Sequence, residues 1–441
     1  MSGIAQLLLQ RGFRVSGSDL KENSRIAELQ KLGAQIFIGH IAENISGAGC
    51  VVYSTAIKED NPEIQAALRQ NIPLLRRAQA LAELMLDKDV ITVTGSHGKT
   101  TTTSLVAYLL LEAGLSPTVA IGGVLRNIES NACLGKSNFF VAEADESDGT
   151  FLYYQPKFSI ITNIDYEHLD YYRSFENELK AFEEFITKTR DDGCILGCFD
   201  DLNLRRMLKG CRRKHIFFGL TELADIYPKN FLLQGLSSEF DCFYKDKLVN
   251  RFYLALGGRH NISNCLAAIA LGLELGIDTR IIRKALRDYK GASRRLEIKY
   301  NANGYLLLDD YAHHPTEIKE TLAAAKQLKR NRLIAVFQPH RYTRTQMLLD
   351  EFGRSFADAD YTVITDIYAA SESPIEGISG RSICDKMKEQ APNKEVIFLS
   401  KEEIAKHVCK IFRPGDLVIT LGAGDISKVN DELVERFIKL G

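Results

Sequence analysis

The sequence lacks an excess of charge of either sign: 56 basic and 57 acidic residues leave a formal net charge of -1. That removes the electrostatic footprint a polyanion-binding protein shows, so no nucleic-acid partner is expected. No apolar run approaches the roughly 20 residues of a membrane span. The N-terminus has no basic segment followed by a cleavable apolar stretch. No membrane insertion is expected, and the reading is cytoplasmic. The nine cysteines are odd in number and contain no C-x-x-C pair, which fits reduced, buried thiols better than a disulfide frame or a zinc site. Cys194 and Cys198 are the closest pair, with no third and fourth ligand nearby. Internal repeats and low-complexity tracts are also missing. Nothing in the chain fixes an oligomeric state beyond monomer or dimer.

What is present is a long chain, 441 residues and 45% apolar, enough for two or three cores. Short apolar strands alternate with amphipathic helices throughout, which predicts an α/β fold with parallel sheets. The first part, 1–85, opens on an amphipathic helix and carries strands at 13–16, 35–38 and 50–54, followed by a linker at 71–77 around Pro73. The second, 86–298, has strands at 90–93, 139–142, 159–162, 193–196 and 215–218, with helices such as 175–187 between them. The third, 299–441, has strands at 305–308, 333–337, 361–365, 395–398 and 417–420. Three domains are expected.

The chemistry concentrates at strand ends. Thr94-Gly95-Ser96-His97-Gly98-Lys99-Thr100 follows a β-branched strand and opens a helix running through Thr101, the setting in which such a loop cradles phosphates. Backbone N–H groups would hold the phosphates of ATP, Lys99 would reach the β/γ-phosphates and Thr100 would ligate Mg²⁺. A glycine-rich turn without nucleotide would have no need of the Lys-Thr pair. Glu143-Ala144-Asp145-Glu146-Ser147-Asp148 crowds carboxylates at another strand end, where a cation would relieve their repulsion, and Glu143 is assigned to Mg²⁺; the alternative is a solvated acidic loop. In Asn163-Ile164-Asp165-Tyr166-Glu167-His168, His168 reads as a metal ligand or general base, against a hydrogen-bonded surface histidine.

Further on, Gly258-Arg259-His260-Asn261-Ile262-Ser263-Asn264 opens a long apolar helix. Asn261 and Asn264 sit three apart and could present two amides to an adenine edge; N-capping by Asn261 or Ser263 is the competing reading. Asp309-Asp310-Tyr311-Ala312-His313-His314 and Gln338-Pro339-His340-Arg341-Tyr342-Thr343-Arg344 each place imidazole, guanidinium or carboxylate groups at a strand end. Such groups could bind a substrate carboxylate or stabilise a tetrahedral anion. The Gly422-Ala423-Gly424-Asp425 turn reads as backbone packing.

Taken in order, these blocks resemble the Mur ligase family over nearly the whole chain. T-G-x-H-G-K-T, E-A-D-E-S-D, T-N-I-D-x-E-H-x-D and G-R-H-N-x-x-N look like the family's central ATPase. D-D-Y-A-H-H-P-T-E, Q-P-H-R-Y-T-R-T and D-I-Y-A-A-S-E-S-P look like its alanine-adding member. The resemblance implies a parallel-sheet UDP-sugar domain, a central P-loop ATPase-like domain and a C-terminal Rossmann-like domain that presents the amino acid. Its implied reaction is ATP-dependent ligation of L-alanine to UDP-N-acetylmuramate through an acyl phosphate, in peptidoglycan precursor synthesis. The alternatives are a tripeptide-adding ligase of murein recycling and a nucleotide-binding pseudoenzyme. By the same resemblance Gly95, Ser96, His97, Gly98, Lys99, Thr100 and Thr101 hold phosphate, and Lys99, Glu143 and His168 form the catalytic and metal-binding set. His260, Asn261, Asn264, Arg295 and Asp310 match nucleotide-contacting positions, with Arg294 adjacent to Arg295 as the other choice. His313, His340, Arg341 and Arg344 fall at the amino-acid end.

The departure is at the start. Family members begin with a strand and a G-x-G-G-x-G-M type turn, and this chain begins at the methionine of that turn. The UDP-sugar domain therefore reads as incomplete, with a full protein about 15 to 25 residues longer, the length of one strand and turn. Ser18, Asp19 and the Ser54-Thr55-Ala56 segment are expected as UDP-side contacts.

Overall fold

The computed structural model describes residues 1–54 and 56–440, without the side chains of Ser24, Leu169, Asp170, Lys439 and Leu440. Thr55, one of the expected UDP-side contacts, lies outside the described residues. The fold is mixed α/β with mainly parallel sheets, in two compact units. One comprises Met1–Lys229, Asp241–Asn250 and Ser263–Lys290; the other comprises Asn230–Phe240, Arg251–Ile262 and Gly291–Gly441.

The first unit begins with the helix Ser2–Gln10 and two separate parallel strand pairs. Ser16–Asp19 pairs with Gln35–Ile38, and Val51–Tyr53 with Leu74–Arg76. Two expectations are corrected here. The strand expected at 13–16 lies at Ser16–Asp19, because pairing with Gln35–Ile38, not apolar content, sets its register; Phe13 is 59% exposed. The linker expected at 71–77 contains the strand Leu74–Arg76, and Pro73 does not interrupt it because only its carbonyl is used, accepting from the Val51 amide at 2.9 Å.

The larger sheet of this unit runs in the spatial order His215–Phe218, Cys194–Cys198, Phe158–Ile161, Asp89–Thr94, Phe139–Glu143, Thr118–Leu125 and Ser130–Cys133. All neighbours are parallel except the last pair. Asp89–Thr94 is central and buried on both faces, with Thr92 and Thr94 among its buried side chains. Its two neighbours carry Glu143 and the 162–168 segment, so three motif loops converge at the carboxyl ends of three adjacent strands, where open parallel sheets bind ligands. Three further strands, Ile226–Gln234, Ser237–Tyr244 and Lys247–Leu254, divide between the units.

The second unit holds a sheet in the order Glu297–Ala302, Tyr305–Asp310, Leu417–Leu421, Leu333–Phe337, Tyr361–Ile364 and Glu395–Phe398. Only the first pair is antiparallel, and its first strand crosses the boundary drawn at 298. Side chains alternate between two cores: Leu306, Leu308, Ala335 and Phe337 pack on one face, Leu307, Ile334, Val336 and Val418 on the other. That period of two is why these strands read as continuous apolar runs.

All nine cysteines are unpaired. Burial pushes the Cys194 and Cys198 thiols up to about 12 and about 11, so neither is a ready thiolate ligand. Among the described residues no helix is long and apolar enough to cross a membrane.

Candidate active site

The phosphate loop runs into a helix that starts two residues before the expected Thr101. Lys99–Glu112 begins at Lys99, with Gly98 before it at φ 83, a left-handed conformation that costs glycine nothing. A Cβ on Gly98 would lie 2.6 Å from the Asn264 side-chain oxygen, so the loop and the helix Arg259–Glu274 are fitted against each other. The loop is also tied to the neighbouring strand end. The His97 amide donates to Asn163 Oδ1 at 2.9 Å, the Thr162 hydroxyl and the Asn163 amide donate to the His97 carbonyl at 2.6 and 3.0 Å, and the Asp165 amide donates to Ser96 Oγ at 2.7 Å. His97 Nε2 lies 3.0 Å from Asp165. Thr162, Asn163 and Asp165 are thus structural partners of the loop that motif reading did not single out; their position in the T-N-I-D block was the available signal.

Lys99 is mostly buried and fully committed. Its ammonium donates to the Gly95 carbonyl at 2.7 Å, the Ser96 carbonyl at 3.1 Å and Glu146 Oε1 at 2.7 Å. Burial alone would lower its pKa, but Glu146, with Asp145 and Glu143, outweighs burial and raises it well above the ordinary lysine value. Glu146 is wholly buried and also sits 3.3 Å from His168 Nε2, linking the loop lysine to the candidate metal histidine. It is a fourth residue that the motif reading did not single out.

Thr100 and Glu143 meet directly, the Thr100 hydroxyl standing 3.0 and 3.2 Å from the two Glu143 oxygens. The Gly122 amide donates to Glu143 at 3.0 Å, and a Cβ on Gly122 would come within 2.8 Å of the carboxylate. Burial pushes the Glu143 carboxyl up, only partly offset by Lys99, Gly122 and Thr100. A buried carboxylate raised this way gains from a nearby cation, and a hydroxyl plus carboxylate oxygens is a hard donor set that suits Mg²⁺. His168 has φ 57, an uncommon conformation for a side-chain-bearing residue, with its carbonyl accepting from the Tyr171 and Tyr172 amides at 3.0 Å. Burial would lower its pKa, but Glu146 and Glu167 together raise it.

Ser18 is engaged with His40 and Glu63, Asp19 is exposed, and Ser54 Oγ accepts from the Ala56 amide at 3.3 Å.

The helix Arg259–Glu274, whose first four residues belong to the second unit and whose remainder belongs to the first, starts at Arg259, which places Asn261 and Ser263 inside it and removes the N-capping reading. Asn261 donates to the Gly257 carbonyl at 2.7 Å, and His260 pairs with Glu320 at 3.3 Å. The two arginines left open by sequence have different surroundings. Arg294 spends its guanidinium on Asp309 at 2.9 Å and on the Gly424 and Gly422 carbonyls at 3.1 and 2.6 Å, bracing the turn after Leu417–Leu421. Both guanidiniums lie over the Tyr311 ring at 5.3 Å, and Arg295 also stands 3.7 Å from Glu317. Asp310 is buried and accepts from the Leu296 and Ala312 amides at 2.7 and 2.8 Å; burial raises its pKa against the pull of Arg295.

His313, His340, Arg341 and Arg344 gather beyond the carboxyl ends of Tyr305–Asp310 and Leu333–Phe337, the two strands that flank Leu417–Leu421. The His313 and His340 rings meet edge to face at 5.6 Å, and His340 stacks on Tyr368 at 5.7 Å. Arg344 stands 3.2 Å from His340 Nδ1. A guanidinium can only donate, so this contact makes Nδ1 the acceptor and leaves the ring hydrogen on Nε2. Burial, with His313, Arg344 and Arg341, lowers His340 to about 3. Arg341 holds φ 69 before the helix Tyr342–Met347, and Glu372 fixes that helix by accepting from the Thr343 amide and hydroxyl at 3.1 and 2.7 Å. A strained arginine beside a second arginine and a neutral imidazole is suited to holding an anionic group.

A P-loop strand-to-helix turn, a buried carboxylate paired with the loop threonine and a separate arginine–histidine cluster define an ATP-dependent ligase architecture. The chain belongs to the Mur ligase family. Family models match as the Mur ligase family catalytic domain at residues 1–89, the Mur ligase middle domain at 93–272 and the Mur ligase glutamate ligase domain at 294–424. The chain is 45% identical over 437 residues to the UDP-N-acetylmuramate–L-alanine ligase of Pelotomaculum thermopropionicum, covering 99% of this chain and 95% of that protein. It is 44% identical to the protein of the same name from Syntrophus aciditrophicus, covering 99% and 91%. Among solved structures it is similar to the UDP-N-acetylmuramate-alanine ligase of Thermotoga maritima, with TM-score 0.85, 29% identity and 100% and 97% coverage. It is also similar to a murein peptide ligase from Psychrobacter arcticus, with TM-score 0.74, 25% identity and 99% and 96% coverage.

Proposed function

We propose that the chain joins L-alanine to the carboxylate of UDP-N-acetylmuramate, converting ATP to ADP and phosphate, as a cytoplasmic step of peptidoglycan precursor synthesis. The observation that carries this reading is the 45% identity over 437 residues to a ligase of that name. The geometry supports the chemistry. The loop amides and Lys99 receive the phosphates, and because all three ammonium donors are already used, phosphate oxygens replace one of the present acceptors. Thr100, Glu143 and His168 would hold Mg²⁺, which would offset charge on the transferring phosphoryl group. The muramate carboxylate attacks the γ-phosphorus and gives an acyl phosphate. The alanine amine then attacks the acyl carbon, and the tetrahedral intermediate collapses to amide and phosphate. No side-chain nucleophile is required, so positioning and electrostatics supply the rate.

The division of labour follows the expected parts. Residues 1–85 hold the UDP-sugar through Ser18, Asp19 and Ser54, and 86–298 hold ATP with Asn261, Asn264 and His260. Residues 299–441 present alanine through His313, His340, Arg341 and Arg344. Arg295 and Asp310 serve the nucleotide. Phosphate release measured with each substrate omitted in turn tests the reading. Release that requires both UDP-N-acetylmuramate and L-alanine supports it; release with a murein tripeptide but not with alanine makes the chain a recycling ligase, and ATP binding without release makes it a pseudoenzyme.

A further inference from the structure

Four side chains from four segments meet at the carboxyl ends of the two short strand pairs of the first unit. Ser18 belongs to Ser16–Asp19, His40 follows Gln35–Ile38, Asn44 lies in the 3-10 turn Ala42–Ile45, and Glu63 lies in the first turn of Pro62–Arg69. Glu63 is the knot. Its Oε2 accepts from the Ser18 hydroxyl at 2.7 Å and its Oε1 from the Asn44 amide at 2.6 Å. His40 Nδ1 lies 2.9 Å from Ser18 Oγ and 3.6 Å from Glu63, with the two side chains only 16% and 13% exposed. The carboxylate is not needed to cap its own helix, because Asn61 already accepts from the Glu63 amide at 2.9 Å. Glu63 therefore ties the ends of one strand pair to the helix that leads into the other.

Proton accounting fixes the roles. A hydroxyl has one hydrogen, and Ser18 gives it to Glu63, so Ser18 Oγ meets His40 as an acceptor and His40 Nδ1 carries the hydrogen. In the Nδ1–H tautomer the lone pair lies on Nε2. This order also excludes a hydrolytic triad, in which the serine would give its proton to the imidazole and the carboxylate would stand behind the ring.

We propose that Glu63 is a positioning residue for the nucleotide-sugar: it presets Ser18, Asn44 and the Nδ1–H tautomer of His40 in the crevice where a parallel sheet receives its ligand. This rests on the ligase reading above. Two variants of the full chain test it, Glu63→Gln and Glu63→Ala. Glutamine keeps the size but replaces one oxygen with an amide NH₂, so it cannot accept from both Ser18 and Asn44. The KM for UDP-N-acetylmuramate is expected to rise about tenfold in E63Q and further in E63A, as half-buried donors lose their acceptor. The KM values for ATP and alanine and the saturated kcat stay within about twofold, because those groups do not touch Glu63. Calorimetric titration with UDP weakens in parallel, and imidazole ¹⁵N spectra show His40 protonated at Nδ1 in the native chain and losing that preference in E63A. An unchanged UDP-sugar KM with an unchanged tautomer overturns the proposal. So does a common loss of kcat and all KM values with a lowered Tm in both variants, which marks a fold strut alone. The UDP titration and the spectra need no turnover, so a native chain that behaves as expected in both yet forms no amide overturns the ligase reading instead.

Discussion

Lys99 shows how a single charged residue is made ready by its surroundings. Three acceptors saturate its ammonium, and the wholly buried Glu146 depends on it for charge compensation. Lys99→Ala is expected to lower kcat on the order of a thousandfold. The same change takes from the buried Glu146 its 2.7 Å cationic partner and leaves only His168 at 3.3 Å, which should cost about 3 kcal/mol of stability, measurable by denaturant titration. Retained turnover refutes the role given to Lys99. His340 makes a second residue-scale prediction. Its folded pKa is lowered from 6.5 to about 3, so as pH falls through this window the unfolded chain takes up a proton that the folded chain does not. Stability contributed by the neutral ring is therefore present above about pH 6.5 and is lost progressively toward pH 3. His340→Gln should flatten the fall of Tm between these limits, and an unchanged acid profile contradicts the assignment.

At the scale of elements, the phosphate loop depends on one turn of backbone. Gly98→Ala must place a Cβ in a left-handed conformation and against Asn264, so it should cost about 1–3 kcal/mol and raise the KM for ATP. An unaltered KM for ATP shows that the loop tolerates the shift. The same element explains what a sequence reveals. The 94–100, 143–148 and 162–168 blocks are legible because each is contiguous and hangs from a single apolar strand. Which strands are neighbours is not legible, and the partners of those blocks come from far away. Gly122, which donates to Glu143, lies in Thr118–Leu125, a strand whose two central glycines weaken the strand pattern while leaving space for the carboxylate. Leu74–Arg76 was hidden by Pro73, whose carbonyl alone serves the pairing. Arg294 and Arg295 are indistinguishable as neighbours in sequence, and only the positions of Asp309, Gly422 and Gly424 separate them.

For the whole molecule, each unit brings its own polar groups to the carboxyl ends of its own parallel strands: the first a phosphate loop with acid and hydroxyl donors, the second a cationic cluster with neutral His340. If the first is the ATP site, Mg²⁺-ATP at a hundredfold its Kd should stabilise the chain by about 2.7 kcal/mol, read as a rise in Tm that Lys99→Ala abolishes. The central claim is that the chain activates a carboxylate by phosphorylating it. The direct measurement is oxygen tracing: UDP-N-acetylmuramate labelled with ¹⁸O in its carboxylate is turned over with ATP and L-alanine, and the released phosphate is weighed by mass spectrometry. The account predicts one ¹⁸O atom in the phosphate for each amide formed. Amide formation with unlabelled phosphate would contradict it.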